Sequence, residues 1–487
     1  MASSPNVDSS EKARNNPMEA SSLTFDARDS GRATPASAIT KERNCHLPIK
    51  KASVADAHAP SVAVPLRFVM TGIASLVTAM IWIAIRPDLL ATYHYNQYII
   101  AVTHLFVLGW LCSVIMGAMY QLVPVALETK LHSETLARWH FVLHTVGFAG
   151  MVAMFWVWNM KQVGHFGSVF GFGVILFAYN LTRTLARIPR WNVVAFGISS
   201  ALFWLVMTML AGLFLASAKC WPKINPLDPI ASMHAHAHLG VLGFFVMMLV
   251  AVSYKLIPMF TLSEVQSSRR ALTSIVLLNV GLLGLAITIL FGSVWKLAFA
   301  LVTVAGLVCF SIEVLAILRA RKRAVLDWGL KQFLVALALL APLSALAIVL
   351  CWPGLPLTAL TAQLETVYGV LALLGVLSFA IVGMLHKIIP FLVWYSSYSK
   401  QIGRAKVPSL SELYSERLQV ISFVLLMLGL AGVTLSATFS HERAVQASCV
   451  VLLLGLGAFA LNVAKILSHL FRPRLAPLAG PKLVVSP

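Results

Sequence analysis

The sequence predicts an all-α, polytopic membrane protein of twelve transmembrane helices, arranged as three pseudo-symmetric four-helix units. Three observations carry that prediction. Hydrophobic residues make up 59% of the chain and charged residues 11%, with a mean hydropathy of +0.83. A soluble domain sits near about 45–50% apolar and about 25% charged, so this chain belongs in lipid. Apolar runs of spanning length recur twelve times, and one helix phrase occurs in three copies. Closed barrels also span membranes, but they read as alternating strands of about ten residues rather than continuous runs.

The spans fall near 64–85, 98–123, 138–158, 163–182, 192–216, 232–257, 271–291, 294–318, 330–351, 364–392, 418–439 and 443–467. Each is close to the roughly 20 residues that cross a bilayer. The membrane domain covers 61–470, with units at about 64–182, 192–318 and 330–467. Residues 1–60 are rich in Ser, Ala, Asn and charge and lack an apolar period, which reads as a disordered basic tail. A second short tail covers 471–487. No short apolar run precedes the first span, so a cleaved leader is not expected.

A net charge of +19 raises the question of nucleic acid, and its distribution answers it. Lys and Arg number 22 on the even-loop side and 6 on the odd side: Arg86, Lys161, Lys219, Lys223, Lys296 and Arg443. The remaining 9 precede or open the first span. Positive residues mark the cytoplasmic face, so both termini are expected there, in a membrane such as the bacterial inner membrane. The basic charge is a topology signal facing anionic headgroups of the bilayer, and no nucleic-acid partner is expected. Six scattered cysteines form neither a CxxC nor a CxxCH, so a disulfide framework and covalent c-type haem are both unsupported.

The repeated phrase is THLFVLGWLCSVIMGAMYQLVPV at 103–125, AHLGVLGFFVMMLVAVSYKLIPM at 237–259 and VYGVLALLGVLSFAIVGMLHKIIPF at 367–391. Gly109, Gly243 and Gly375 align at offsets of 134 and 132 residues, as do Pro124, Pro258 and Pro390. The copies are spans 2, 6 and 10, so the unit is four helices used three times. Four spans return the chain to the same side, which gives parallel repeats about an axis along the membrane normal.

His104 and His238 share one slot near the outer ends of spans 2 and 6; the third copy has Val370 there. Sixteen residues separate each from Tyr120 or Tyr254, about 24 Å of helix, and His386 fills that deeper slot. It cannot share a metal with the other two. In the HAHAH run, His234 and His238 are i,i+4 and share a face, while His236 points about 200° away from His234. These imidazoles are either polar residues at the headgroup boundary or ligands, and two in symmetry-related slots favour ligands. His140, His144 and His165 read as interfacial, and Tyr120 and Tyr254 as aromatic-belt residues near proline-marked helix ends. Glu313 reads either as a proton-handling group or as a partner of the RARKR cluster at 319–323.

The chain resembles subunit I of the haem–copper oxidase superfamily over roughly 64–470. The resemblance rests on twelve helices in three groups of four, an early His in span 2 and a His-rich span 6 (MHAHAHLGVLGFF). It is also similar to the NnrS family of haem- and copper-containing membrane proteins linked to nitric oxide stress. The superfamily holds its low-spin haem between a span 2 and a span 10 His, and its copper between span 6 and span 7 histidines. Here span 7 (ALTSIVLLNVGLLGLAITILF) has no His, nor has the outer half of span 10. The resemblance therefore implies haem without the full ligand set of a binuclear oxygen-reducing centre.

The expected chemistry is one b-type haem ligated by His104 and His238, serving electron transfer or O2- or NO-related redox or sensing. His234, His236 and His238 are the candidate metal ligands, with copper as the ion. Whether the chain is an oxidoreductase stays open, as do two rivals: a cofactor-free transporter or channel, and a noncatalytic assembly partner of a respiratory oxidase. A c-type cytochrome or another respiratory subunit is the expected protein partner.

Overall fold

Among the described residues of the computed structural model, twelve helices are long and apolar enough to cross a membrane. The described residues are 61–92 and 94–477; the tail read at 1–60 and residues 478–487 lie outside them. The helices are α1 (Ala63–Ile85), α2 (Gln97–Ala126), α3 (Glu134–Trp156), α4 (Met160–Leu185), α5 (Val193–Cys220) and α6 (Pro229–Thr261). They continue as α7 (Ser268–Leu290), α8 (Lys296–Arg319), α9 (Trp328–Leu350), α10 (Ala359–Gln401), α11 (Glu416–Thr438) and α12 (Glu442–Phe471). This is an integral membrane protein. Several helices begin a few residues before the apolar run that marks them, because polar caps start them. Asp228 accepts from Ala231 N–H with Pro229 in the first turn, and Asn96 accepts from Tyr98 and Ile99 N–H.

The centre of the bundle belongs to α2, α6 and α10. They are 61, 67 and 67% buried in their most apolar windows, against 22–56% for the other nine. Their outward-facing neighbours show large apolar side chains such as Phe172 at 65% exposure and Leu454 at 59%, as lipid contact requires.

Each unit closes its third and fourth helices with the same device. The backbone N–H of Ser133, which caps α3, donates to Asn180 Oδ1 on α4 at 3.0 Å, and Asn180 Nδ2 returns a bond to Ser133 O at 2.7 Å. In the last unit Ser415, just before α11, and Asn462 of α12 repeat the exchange at 2.8 and 3.3 Å. The middle unit uses Glu313 of α8: its Oε1 accepts from Gln266 and Ser267 N–H at 2.6 and 2.9 Å. Its Oε2 pairs with Arg270 Nε at 2.8 Å. First-turn N–H groups have no partner within their own helix, and near lipid no water reliably replaces one. Glu313 is thus the counterpart of Asn180 and Asn462. It pairs with Arg270 rather than with the 319–323 cluster.

Close packing within these hairpins needs absent side chains. A Cβ on Gly147 of α3 would lie 2.5 Å from Phe170 N on α4, so the two backbones touch there. The three repeated prolines lie inside their helices, which run on to Ala126, Thr261 and Tyr398. Tyr120 and Tyr254 are 1 and 2% exposed and make interior hydrogen bonds, Tyr120 Oη with His140 Nδ1 at 2.9 Å and Tyr254 Oη with Ser274 Oγ at 2.7 Å. They are core residues, not an aromatic belt, because each has a polar partner one helix away.

Candidate cofactor cavity

α2, α6 and α10 each leave regular α-helical winding at the same point. π-helical stretches cover Leu105–Cys112, Leu239–Val246 and Leu371–Ser378, so His104, His238 and Val370 are the residues at which they begin. Widened turns of this kind gather at functional sites, and here they recur with the repeat. The π stretches are tied together: Trp110 Nε1 donates to Ser378 Oγ at 3.0 Å between two fully buried side chains.

His104 and His238 have matching local geometry. His104 Nδ1 is 2.7 Å from Ile100 O, and His238 Nδ1 is 2.8 Å from His234 O, each a bond to the carbonyl four residues back. Because a carbonyl can only accept, Nδ1 carries the proton and Nε2 keeps its lone pair. Such an outer bond commonly orients a ligating histidine. Both rings line one cavity of about 1210 Å³, whose wall also includes His94, His234, His236, Glu365 and Tyr368. That exceeds the roughly 300–1,000 Å³ of ordinary small-molecule pockets, and its lining is dominated by apolar side chains.

The rings differ in their neighbours. His104 packs on Phe155 of α3 with centroids 4.5 Å apart, and His238 stacks beside Tyr368 of α10 at 6.0 Å. His236 turns the opposite way from His238, as its spacing predicts, and lies against α5, where a Cβ on Gly212 would be 3.0 Å from its Cε1. Its buried Nδ1 has no hydrogen bond of normal length, though the ring interacts with the Thr208 backbone of α5. A buried imidazole nitrogen without a normal hydrogen bond, in the wall of the cavity, fits a site that awaits a metal-bearing group.

The remaining predicted histidines divide by burial. His140 and His144 are fully buried rather than interfacial; His140 bonds Tyr120, and His144 Nε2 bonds Ser113 Oγ at 2.8 Å. The i,i+4 spacing that placed both on one face turned that face inward. His386 is buried against Phe459, away from the cavity, as the deeper slot requires. His165 is exposed.

Sequence reasoning missed His94 and Glu365. His94 Nε2 lies 3.3 Å from His234 Nε2 and 3.8 Å from Glu365 Oε2. Glu365 carried a signal: it is the sole acid in the apolar stretch 359–392, and an ionisable residue inside a span marks a functional site by default. His94 gave none, since it sits in an ordinary connecting loop. Burial holds the His94 imidazole below its usual pKa, which keeps it neutral and able to ligate.

No family model matches the chain. Over 70 residues, 14% of the chain, it is 39% identical to a cytochrome c oxidase subunit 1 homolog, bacteroid, of Bradyrhizobium diazoefficiens, covering 13% of that protein. The same length is 37% identical to a cbb3-type cytochrome c oxidase subunit, CcoN1, of Stutzerimonas stutzeri, covering 15% of it. The matches therefore span about one-seventh of these relatives. The fold aligns with a solved haem–copper terminal oxidase at TM-score 0.59 and 12% identity, over 85% of this chain and 87% of that one. The chain has the fold of haem–copper oxidase subunit I.

Proposed function

We propose that the chain binds a b-type haem in this cavity and works in electron transfer or in O2- or NO-related redox chemistry or sensing. One observation carries the reading: two imidazoles in symmetry-related slots, each with Nδ1 pinned to a backbone carbonyl and Nε2 left as the free lone-pair donor, line the same large apolar cavity. Bound there, a b-type haem supplies a one-electron iron centre, and a gas-binding one when an axial position is free. The chain's part is to fix the ligand tautomers and exclude water with the surrounding Met, Leu and Phe side chains. In this reading His104 and His238 would hold the haem iron. A second reading pairs His104 with His236, favoured by the unpartnered Nδ1 of His236 and by the place of both residues in the wall of the same cavity. Both termini in the cytoplasm and a c-type cytochrome as electron partner complete the proposal; His234, His236 and His238 do not converge on one copper ion, since His236 faces Gly212 and His238 faces Tyr368. The similarity to oxidase subunits supports this redox setting.

The test is an absorption spectrum with a pyridine haemochrome on the purified protein and three variants. Wild type is expected to show b-type haem, and His104→Ala to lose the low-spin signal. Loss in His238→Ala supports the first pairing; loss in His236→Ala with His238→Ala intact selects the second. A colourless wild type, or unchanged spectra and haem content in both His104→Ala and His238→Ala, overturns haem ligation at this site and favours the transporter reading.

A further inference from the structure

The mouth of the cavity gathers three metal-ligating side chains from distant parts of the chain: His94 from the α1–α2 loop, His234 from the start of α6 and Glu365 from α10. One ligand atom from each lies within 4.8 Å of the other two. His94 Nε2 is 3.3 Å from His234 Nε2 and 3.8 Å from Glu365 Oε2. Around a tetrahedral ion with bonds of about 2.0–2.1 Å, neighbouring ligand atoms sit about 3.3–3.4 Å apart. One edge already has that length, and the others need only small side-chain rotations.

The positions are held by other bonds. Asn96 caps α2 on one side of His94, and Ala91 O on the other side accepts from Gln363 Nε2 of α10 at 3.2 Å. Tyr95 Oη accepts from Lys219 Nζ at 2.7 Å, fixing the same loop to α5. The backbone carrying His94 is thus tethered to the helix that carries Glu365, two residues from Gln363. Ligands presented by a braced scaffold lose little entropy on binding. Opposing this, the Lys296 ammonium lies within electrostatic reach of both Glu365 and His234 and disfavours a second cation there.

We propose that His94, His234 and Glu365 form a binding site for a first-row divalent cation of the Zn2+ or Cu2+ class. Two imidazoles and one carboxylate are the donor set such ions accept, with a fourth position left for water. Bound there, the ion joins the loop, α6 and α10 across the cavity entrance. The site does not depend on haem ligation, because neither His104 nor His238 is among its ligands.

The test uses full-length protein in detergent, stripped with EDTA, loaded with Zn2+, desalted and measured for metal by mass spectrometry, with the haem spectrum as an internal control. Wild type is expected to retain one zinc that His94→Ala and Glu365→Gln both lose, while the haem band stays unchanged. Glu365→Gln preserves shape, so it remains informative if His94→Ala folds poorly. Lys296→Gln is expected to raise the affinity for Zn2+ by removing the nearby positive charge. Equal zinc in wild type and Glu365→Gln, or none above background in wild type, overturns the proposal. A colourless protein that still retains this zinc leaves the site standing and rejects only the haem reading.

Discussion

Gly212→Ala is the smallest change that separates the two axial pairings. The added Cβ would lie 3.0 Å from His236 Cε1, about 0.4 Å inside the 3.4 Å at which ordinary contact begins. The ring must yield by that amount or α5 must move away from α6. Overpacking of this kind costs about 1–3 kcal/mol, which corresponds to about 5- to 150-fold in an equilibrium constant. Alanine also favours helix over glycine by up to about 1 kcal/mol, an opposite effect that must be removed. Gly164→Ala supplies the control, since a Cβ there meets nothing within 4 Å. The assay is the rate of haem transfer from the purified protein to excess apomyoglobin. If His236 is an axial ligand, Gly212→Ala speeds transfer by at least about fivefold relative to Gly164→Ala. Equal rates in the two proteins refute the His104–His236 reading and leave His238 as the partner.

Glu313→Ala strands two N-terminal backbone N–H groups and Arg270, at about 1–3 kcal/mol for each orphaned group, and thermal unfolding in detergent is expected well below wild type. An unchanged melting temperature would remove Glu313 from the hairpin clasp. Ser113→Ala and Tyr120→Phe each leave a fully buried histidine nitrogen unpaired, so each is expected to destabilise by about 1–3 kcal/mol without altering the haem spectrum. A spectral change in either would tie His144 or His140 to the cofactor. Asp327, just before α9, is pushed up by burial but held below its usual pKa overall by its hydrogen bond to Lys387 and that residue's charge. A depressed folded-state pKa stabilises above the unfolded value, about 3.9, and is lost as pH falls through the folded value. Asp327→Asn is therefore expected to lower stability at neutral pH, and the difference from wild type should shrink on acidification; a gap constant with pH would reject the ion pair's contribution.

The sequence by itself determined the class of fold, the twelve helices and their threefold repetition. Hydropathy sets a helix wherever backbone must be satisfied inside lipid, and a phrase such as Gly109, Gly243 and Gly375 reports register without any knowledge of contacts. It also placed His104 and His238 in one slot, because equal positions in a repeat have equal depth. Tertiary structure decided the direction of each ring and who meets whom. His236 and His238 are two residues apart, yet one faces Gly212 and the other Tyr368. His140 and His144 looked interfacial because depth along a helix is readable while its buried side is not. Glu313 took its meaning from the N–H groups of Gln266 and Ser267, and His94 from Glu365, 271 residues away. Local periodicity encodes which face is apolar, but pairings between distant helices follow from packing, which no single stretch of chain contains.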